Sequence, residues 1–309
     1  MDQKLISICI PTYNRDRFLE ECLQSITKQF SNPEIKNKVN IFILDNQSVD
    51  NTKKVSQKFI ADFNNIQYLR DDKNRKIAPG IIKAASLADG QYVWILSDDE
   101  ILKDNCLIKI IEQIEKHGTD FILCNIDSFT NGLEIRKKNL LNIKETKYLQ
   151  TRKELFCILN NKFYDAVDYY TTLCSNWLLK KEFIEKTKDI YNIYNDPKLD
   201  LFPFPSLLFY SKENFSTTII SDSLILFRID NTSWGHKNPI KHFMLEIKLL
   251  KHHYNNIVKN NTELLPQGFK KKVILKNIRK MSKGFIKVLI AAFLKEIGLY
   301  EKLRKIIKK

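Results

Sequence analysis

Apolar positions along the first 125 residues come in two alternating kinds of run. Leu5 to Ile10 (LISICI) is a largely β-branched stretch ended by Pro11, and Phe18, Leu19, Cys22, Leu23 and Ile26 then recur at helical spacing. Val39 to Leu44 predicts a second strand closed by Asp45, after which Ser48 or Asp50 can cap a helix carrying Val55, Phe59, Ile60 and Phe63. A third strand is predicted over Ile66 to Leu69, a short helix over Ile81 to Leu87, and a fourth strand over Tyr92 to Leu96. Leu107, Ile110, Ile111 and Ile114 mark a further helix that starts around Asp104 and stops at Gly118, and Phe121 to Cys124 reads as a fifth strand.

Strands that are apolar throughout, separated by amphipathic helices, predict an α/β fold with a mostly parallel sheet covered on both faces. Ligands of such sheets sit beyond the carboxyl ends of the strands. Thr12 to Arg15, Asp45 and Asp98 to Glu100 all fall there. From about residue 126 the pattern becomes mixed, with short strands near Tyr169 to Leu173 and Thr217 to Phe227 and helices near Glu154 and Leu207. Beyond Pro239 the chain reads as basic helical segments broken near Pro266 and Gly268.

Composition adds limits. A chain of 309 residues, 43% hydrophobic and 28% charged, is long enough for a full core and is not of a disordered type. The opening MDQKLISICIP has none of the pattern of a signal peptide, and the longest purely apolar run, VLIAAFL from Val288 to Leu294, is too short for a membrane-crossing helix. The six cysteines are scattered, without a close pair or a His at zinc spacing, and read as small core residues in a reducing compartment. The formal net charge of +15 would point to nucleic acid if it were spread along the chain. It is not: residues 240–309 hold 18 Lys and Arg against 4 Asp and Glu, a net of +14.

The stretch YVWILSDDEIL, Tyr92 to Leu102, raises a chemical question, because a buried strand runs straight into three acids. Two carboxylates about 4 Å apart repel by roughly 1 kcal/mol in water and about 4 kcal/mol at an effective dielectric of 20. Oxygen ligands of this kind favour a hard cation, Mg²⁺ or Mn²⁺. The alternative is capping of the following helix, where acids are also stabilising. The other strand ends bear on the choice. Pro11 to Arg15 (PTYNR) offers a rigid turn, an aromatic face for stacking and polar groups for a base edge, and Asp45 can accept from a base or ribose donor.

SICIPTYNR, FILDNQSVDNT and YVWILSDDEIL, in that order and at those separations, resemble the nucleotide-sugar half of inverting glycosyltransferases of the family-2 type, which have the GT-A fold. The resemblance is clear over about residues 4–125 and loose over 126–235. It implies a nucleotide-sugar-binding half at 1–125 and an acceptor-binding half of the same domain at 126–239, followed by a basic helical tail at 240–309. It also implies that Thr12, Tyr13, Asn14 and Asp45 hold the nucleobase and ribose, with Pro11, Arg15 and Asn74 on the same face. Asp98 would lie near ribose and metal, and Asp99 would bind the Mn²⁺ or Mg²⁺ that bridges the diphosphate. Ser97 replaces the first acid of the family's Asp-x-Asp motif, Asn46-Gln47-Ser48 stands for Asp-Gly-Ser, and the loop at Asn74 to Lys76 lacks a glycine often found there.

An inverting displacement needs a general base. Where the resemblance implies an acidic pair in the second half, IYNDPKLDLFPFPSLLFYS offers Asp196 and Asp200, and Asp200, just ahead of an apolar segment, is the candidate. Arg228 and the segment Asp230 to Pro239 (DNTSWGHKNP) follow a strand, and the Gly-containing loop with Ser233, Trp234 and His236 suits a lid, His236 completing the metal shell or touching phosphate. This segment and SDDE are similar to bacterial O-antigen transferases of the abequosyltransferase kind. The tail alternates Lys with Phe269, Val273, Ile274, Ile278 and Met281, as does a helix lying on an anionic membrane surface. It has few of the stacking aromatics, and no recognisable module, of a nucleic-acid binder. The expectation is a cytoplasmic enzyme, peripheral on the inner membrane face, that moves a sugar from a nucleoside diphosphate donor to a glycan or polyprenyl-diphosphate-linked acceptor in surface polysaccharide synthesis. A sugar-phosphate nucleotidyltransferase or a non-catalytic nucleotide-sugar-binding protein is the other reading, the former disfavoured because PTYN is no Gly-rich phosphate loop.

Overall fold

A computed structural model of the chain describes residues 3–75, 77–158, 174–187, 211 and 213–230. All of these lie in the first of the two units into which the chain divides, Met1–Asn231.

The first strand, β1 (Ile6–Thr12), runs two residues past the predicted end because Pro11 lies inside it. The sheet makes this cheap. β1 pairs with β2 (Val39–Asp45) along its whole length, but its pairing with β4 (Tyr92–Ile95) ends at Cys9 opposite Ile95. Leu96 N–H still donates to Cys9 O, so Pro11, two residues on, directs its missing N–H past the end of β4 where no partner waits.

β3 (Ile66–Arg70) joins β2 in parallel, giving the order β3-β2-β1-β4 for the first half. On that half Ile8, Ile10, Ile41, Ile43, Trp94 and Ile95 are buried, which is why these strands read as unbroken apolar runs. Helices cover them: α1 (Asp16–Thr27), α2 (Pro33–Lys38), α3 (Thr52–Asp62), α4 (Ile77–Ser86) and α5 (Cys106–His117). Gly118 ends α5 as the spacing predicts, in the left-handed region at φ 57° with its N–H on Ile114 O at 2.7 Å.

The second half is mixed. β6 (Phe121–Phe129) and β10 (Thr217–Arg228) run parallel, and β5 (Ile101–Leu102), β7 (Ile135–Lys137) and β8 (Lys147–Leu149) add to them antiparallel. A strand with no counterpart in the sequence reading, β9 (Trp177–Lys180), lies antiparallel between β4 and β6 and welds the halves into one sheet of ten strands. Four residues offer too little periodicity to be seen in advance. Packing holds it: Phe121 meets Trp177 edge to face, and Phe121, Phe183 and Phe215 cluster with centroids 4.6–5.7 Å apart.

The predicted helix near Glu154 forms over 152–158. The predicted strand at Tyr169 to Leu173 and helix near Leu207 fall outside the described residues. All six cysteines are free; five are buried, as read, whereas Cys157 is exposed. Among the described residues no helix is long and apolar enough to cross a membrane.

Candidate functional site

Two loops interlock beyond the carboxyl ends of β1 and β2. Asn14 and Gln47 both adopt left-handed backbone, φ 54° and 69°, which turns each loop sharply. Asn14 then ties them together: its N–H donates to Ser48 Oγ at 2.9 Å and its Oδ1 accepts Val49 N–H at 2.8 Å. Asn46 N–H donates to Thr12 O at 2.9 Å, and Asp16 N–H donates to Asp50 Oδ2 at 3.1 Å. Tyr13, at the tip, is left 44% exposed, while Thr12 is buried.

Asp45 is fully buried under these loops. Its Oδ1 accepts Ser48 N–H at 2.7 Å and its Oδ2 accepts the Tyr68 hydroxyl at 2.6 Å; burial and the Asp45 carboxylate together push the Tyr68 phenol up. Ser48 is therefore engaged with Asn14 and Asp45 and does not cap α3. That helix starts after Asn51 without a side-chain cap, although Asp50 Oδ1 does take the N–H and hydroxyl of Thr52. Tyr68 was not foreseen, because a tyrosine at position 3 of a strand carries no signal of its own. We expect Tyr68→Phe to lower stability by about 1–2 kcal/mol, since it leaves a buried carboxylate oxygen without its donor. The check is a lower urea midpoint at unchanged slope.

The loop after β3 is held by Asp71, buried, whose carboxylate takes Arg75 Nε at 2.5 Å and Lys83 Nζ at 3.0 Å. These partners, Arg75 foremost, hold its carboxyl below the usual range. Asp71 N–H donates to Asp45 O at 2.8 Å, which fastens the loop to β2, and Asn74 sits exposed upon it. Gly80, on α4, closes the same corner: a Cβ there would come within 2.7 Å of Asn46 Nδ2.

The acidic cluster lies across from these loops. Ser97 N–H donates to Ser175 Oγ at 3.1 Å, and Trp94 Nε1 donates to Ser175 O at 2.7 Å, so the turn leading into β9 buttresses the end of β4. Asp98 is 3% exposed and Glu100 2%. Arg15 spans the pair, Nη1 to Asp98 Oδ1 at 2.6 Å and Nη2 to Asp99 Oδ2 at 3.0 Å. Burial pushes the Asp98 carboxyl up to about 6 against the pull of Arg15. Burial and the neighbouring Asp99 hold Glu100 well above the ordinary range, and its Oε2 has no hydrogen-bond partner among the described residues.

Arg228, at the end of β10, completes the surround. Its Nε donates to Asp99 O at 3.1 Å, its Nη1 to Asn131 Oδ1 at 3.1 Å and its Nη2 to Glu21. The guanidinium lies between the rings of Phe18 and Phe129, 4.9 and 4.5 Å from their centroids. It is thus a buried brace.

Helix capping does not explain these acids. β5 stands between them and α5, and the residue before α5 is Asn105 at φ 62°. Asp104, around which the helix is predicted to start, pairs with Lys28 at 2.6 Å.

The structure therefore brings together Pro11 to Arg15 with Asp45 through the interlocked loops, and Arg15 with Asp98 and Asp99. Asp196, Asp200, Ser233, Trp234 and His236 lie outside the described residues. Among the described residues no three His, Cys, Asp or Glu side chains converge as a protein-built metal cage. The donor set still fits a hard cation. Mg²⁺ and ions like it are held by one or two carboxylates, with water and substrate phosphates filling the remaining positions. Asp98 and Asp99, with a Glu100 oxygen nearby that has no partner among the described residues, form such a partial set.

The family model described as Glycosyl transferase family 2 matches residues 7–186. Abequosyltransferase RfbV of Salmonella typhimurium is 34% identical over 160 residues, covering 51% of this chain and 45% of that protein. The chain thus spans less than half the length of that relative. The structure of Staphylococcus aureus TarS 1–349 in complex with UDP-GlcNAc superposes with a TM-score of 0.63 at 15% identity, over 89% of this chain and 73% of that one. Mannosyltransferase PcManGT from Pyrobaculum calidifontis, in complex with GDP-Man and Mn²⁺, does so at 0.52 and 12% identity, over 98% and 84%. These likenesses establish the fold: a GT-A-like mixed sheet flanked by helices.

Proposed function

Because the chain belongs to glycosyl transferase family 2, we propose that it moves a sugar from a nucleoside diphosphate sugar to a glycan or polyprenyl-diphosphate-linked glycan, with inversion, in bacterial surface polysaccharide assembly such as that of O-antigen or capsule. The observation that carries this reading is the junction of two features at one sheet end. The loops of Pro11 to Arg15 and Asp45 to Ser48 form one interlocked unit, and Arg15 joins it directly to Asp98 and Asp99.

In this reading Tyr13 stacks on the base, and Thr12, Asn14 and Asp45 contact base and ribose, with Pro11 shaping the turn and Asn74 reaching from the neighbouring loop. Asp98 faces ribose and metal, and Asp99 holds the Mn²⁺ or Mg²⁺. When bound, that ion stabilises the anionic diphosphate leaving group without a proton transfer. Asp200 takes the proton from the acceptor hydroxyl, and His236 serves the metal or a phosphate. Residues 1–125 bind the donor and 126–239 the acceptor. The basic residues of 240–309 hold the enzyme against an anionic membrane on the cytoplasmic side, where a polyprenyl-linked acceptor would be met.

Similarity to an abequosyltransferase and to structures holding UDP-GlcNAc or GDP-Man with Mn²⁺ supports the donor class. Calorimetric titration with UDP-, GDP-, CDP- and dTDP-sugars, each with and without Mn²⁺, tests it. One donor family should bind, and bind more tightly with the ion; silence toward all four would remove the reading.

A further inference from the structure

The two carboxylates assigned to a divalent cation are already bridged by a cation of the chain itself. Arg15 meets both through separate nitrogens at 2.6 and 3.0 Å, and all three side chains are largely withdrawn from water, at 16%, 4% and 12% exposure for Arg15, Asp98 and Asp99. A planar fork shared between two buried carboxylates is a strong, oriented arrangement, and a guanidinium cannot shed its charge. The Arg15 fork is placed by its neighbours: it lies 5.5 Å from the Phe18 ring centroid, on which Arg228 also rests, and its backbone adjoins α1.

Part of the acids' charge is offset here without any added ion. Asp98 and Asp99 share the charge of Arg15, while the buried Arg228 holds the Asp99 carbonyl and directs its charge to Glu21. A dication arriving alone would meet the fixed positive charge of Arg15 at those carboxylates, with little water to screen the repulsion. A dication arriving with a diphosphate would not, because the phosphate oxygens bring compensating negative charge and new acceptors for the guanidinium.

We propose that Arg15 is a resident counter-ion that keeps free divalent cations off the Asp98–Asp99 pair and admits them only together with a nucleoside diphosphate. The inference rests on the reading of Asp99 as a metal ligand. It makes Arg15 the residue that orders binding, a role distinct from contacting the base.

Equilibrium dialysis or electron paramagnetic resonance of protein-bound Mn²⁺ tests this, with and without UDP or GDP, on the wild type, Arg15→Gln and Arg15→Lys. The wild type is expected to bind Mn²⁺ alone at least about tenfold more weakly than with the nucleotide it accepts, and Arg15→Gln to bind Mn²⁺ alone at least about tenfold more tightly than the wild type. Arg15→Lys keeps the charge and stays near the wild type. If Arg15→Gln gains no affinity for free Mn²⁺ while the wild type still binds Mn²⁺ with nucleotide, the counter-ion role is overturned and the metal reading stands. If the wild type retains no Mn²⁺ even with nucleotide, both fall. Should Arg15→Gln fail to fold, the wild type alone decides: equal Mn²⁺ affinity with and without nucleotide overturns the proposal.

Discussion

Asp99→Asn abolishes metal-dependent donor turnover and leaves the protein folded. The substitution keeps the shape of the side chain, and its amide oxygen can still accept from Arg15 Nη2, which the carboxylate now meets at 3.0 Å. What is lost is the negative charge, and with it the attraction for a hard cation. Metal stabilisation of a departing diphosphate is worth several kcal/mol, so turnover should fall by about 10²–10³-fold or more. Donor turnover in saturating Mn²⁺ measures this, with circular dichroism to show the fold. Turnover within a few-fold of the wild type would mean that Asp99 does not hold the ion.

Arg228→Ala has the largest expected effect on stability. Arg228 is 3% exposed, fills the space between Phe18 and Phe129, and donates to Asp99 O. Truncation leaves a cavity and an unsatisfied carbonyl beside it, a loss of about 2–4 kcal/mol. The ion pair with Glu21 adds little, because Glu21 is 39% exposed and water replaces the lost partner. Chemical denaturation reads the change. Arg228→Lys should recover part of it, since a stem and charge return without the fork that reaches Asp99 and Asn131 together. An Arg228→Ala protein as stable as the wild type would show that the site end of β10 does not depend on this brace.

Legibility in the sequence followed how local the determining physics is. The first half was readable because β1, β2 and β4 are buried on both faces and α1 and α5 keep an apolar stripe, so burial writes a period into the residues themselves. Pro11 misled the end of β1 because its tolerance depends on where a neighbouring strand stops, a fact of the sheet alone. β9 escaped notice because four residues held by long-range ring packing leave no local pattern. At the site, the acids and PTYNR stood out as residue types in the right order. Their pairing did not: that Arg15 would cross to Asp98 and Asp99, 83 and 84 residues away, is decided by how the ends of β1 and β4 meet. Glu100 and Arg228 belong to the same class, since a lone acid after two others and a strand-end arginine announce neither burial nor a brace.

Anomalous diffraction from a crystal grown with a nucleoside diphosphate and Mn²⁺, collected at the manganese edge, addresses the site most directly. The expected result is one peak within coordination distance of an Asp99 oxygen and of the diphosphate, with the base against Tyr13 and the Arg15 fork moved off at least one carboxylate. A nucleotide bound elsewhere, or a manganese peak remote from residues 98 and 99, would contradict it.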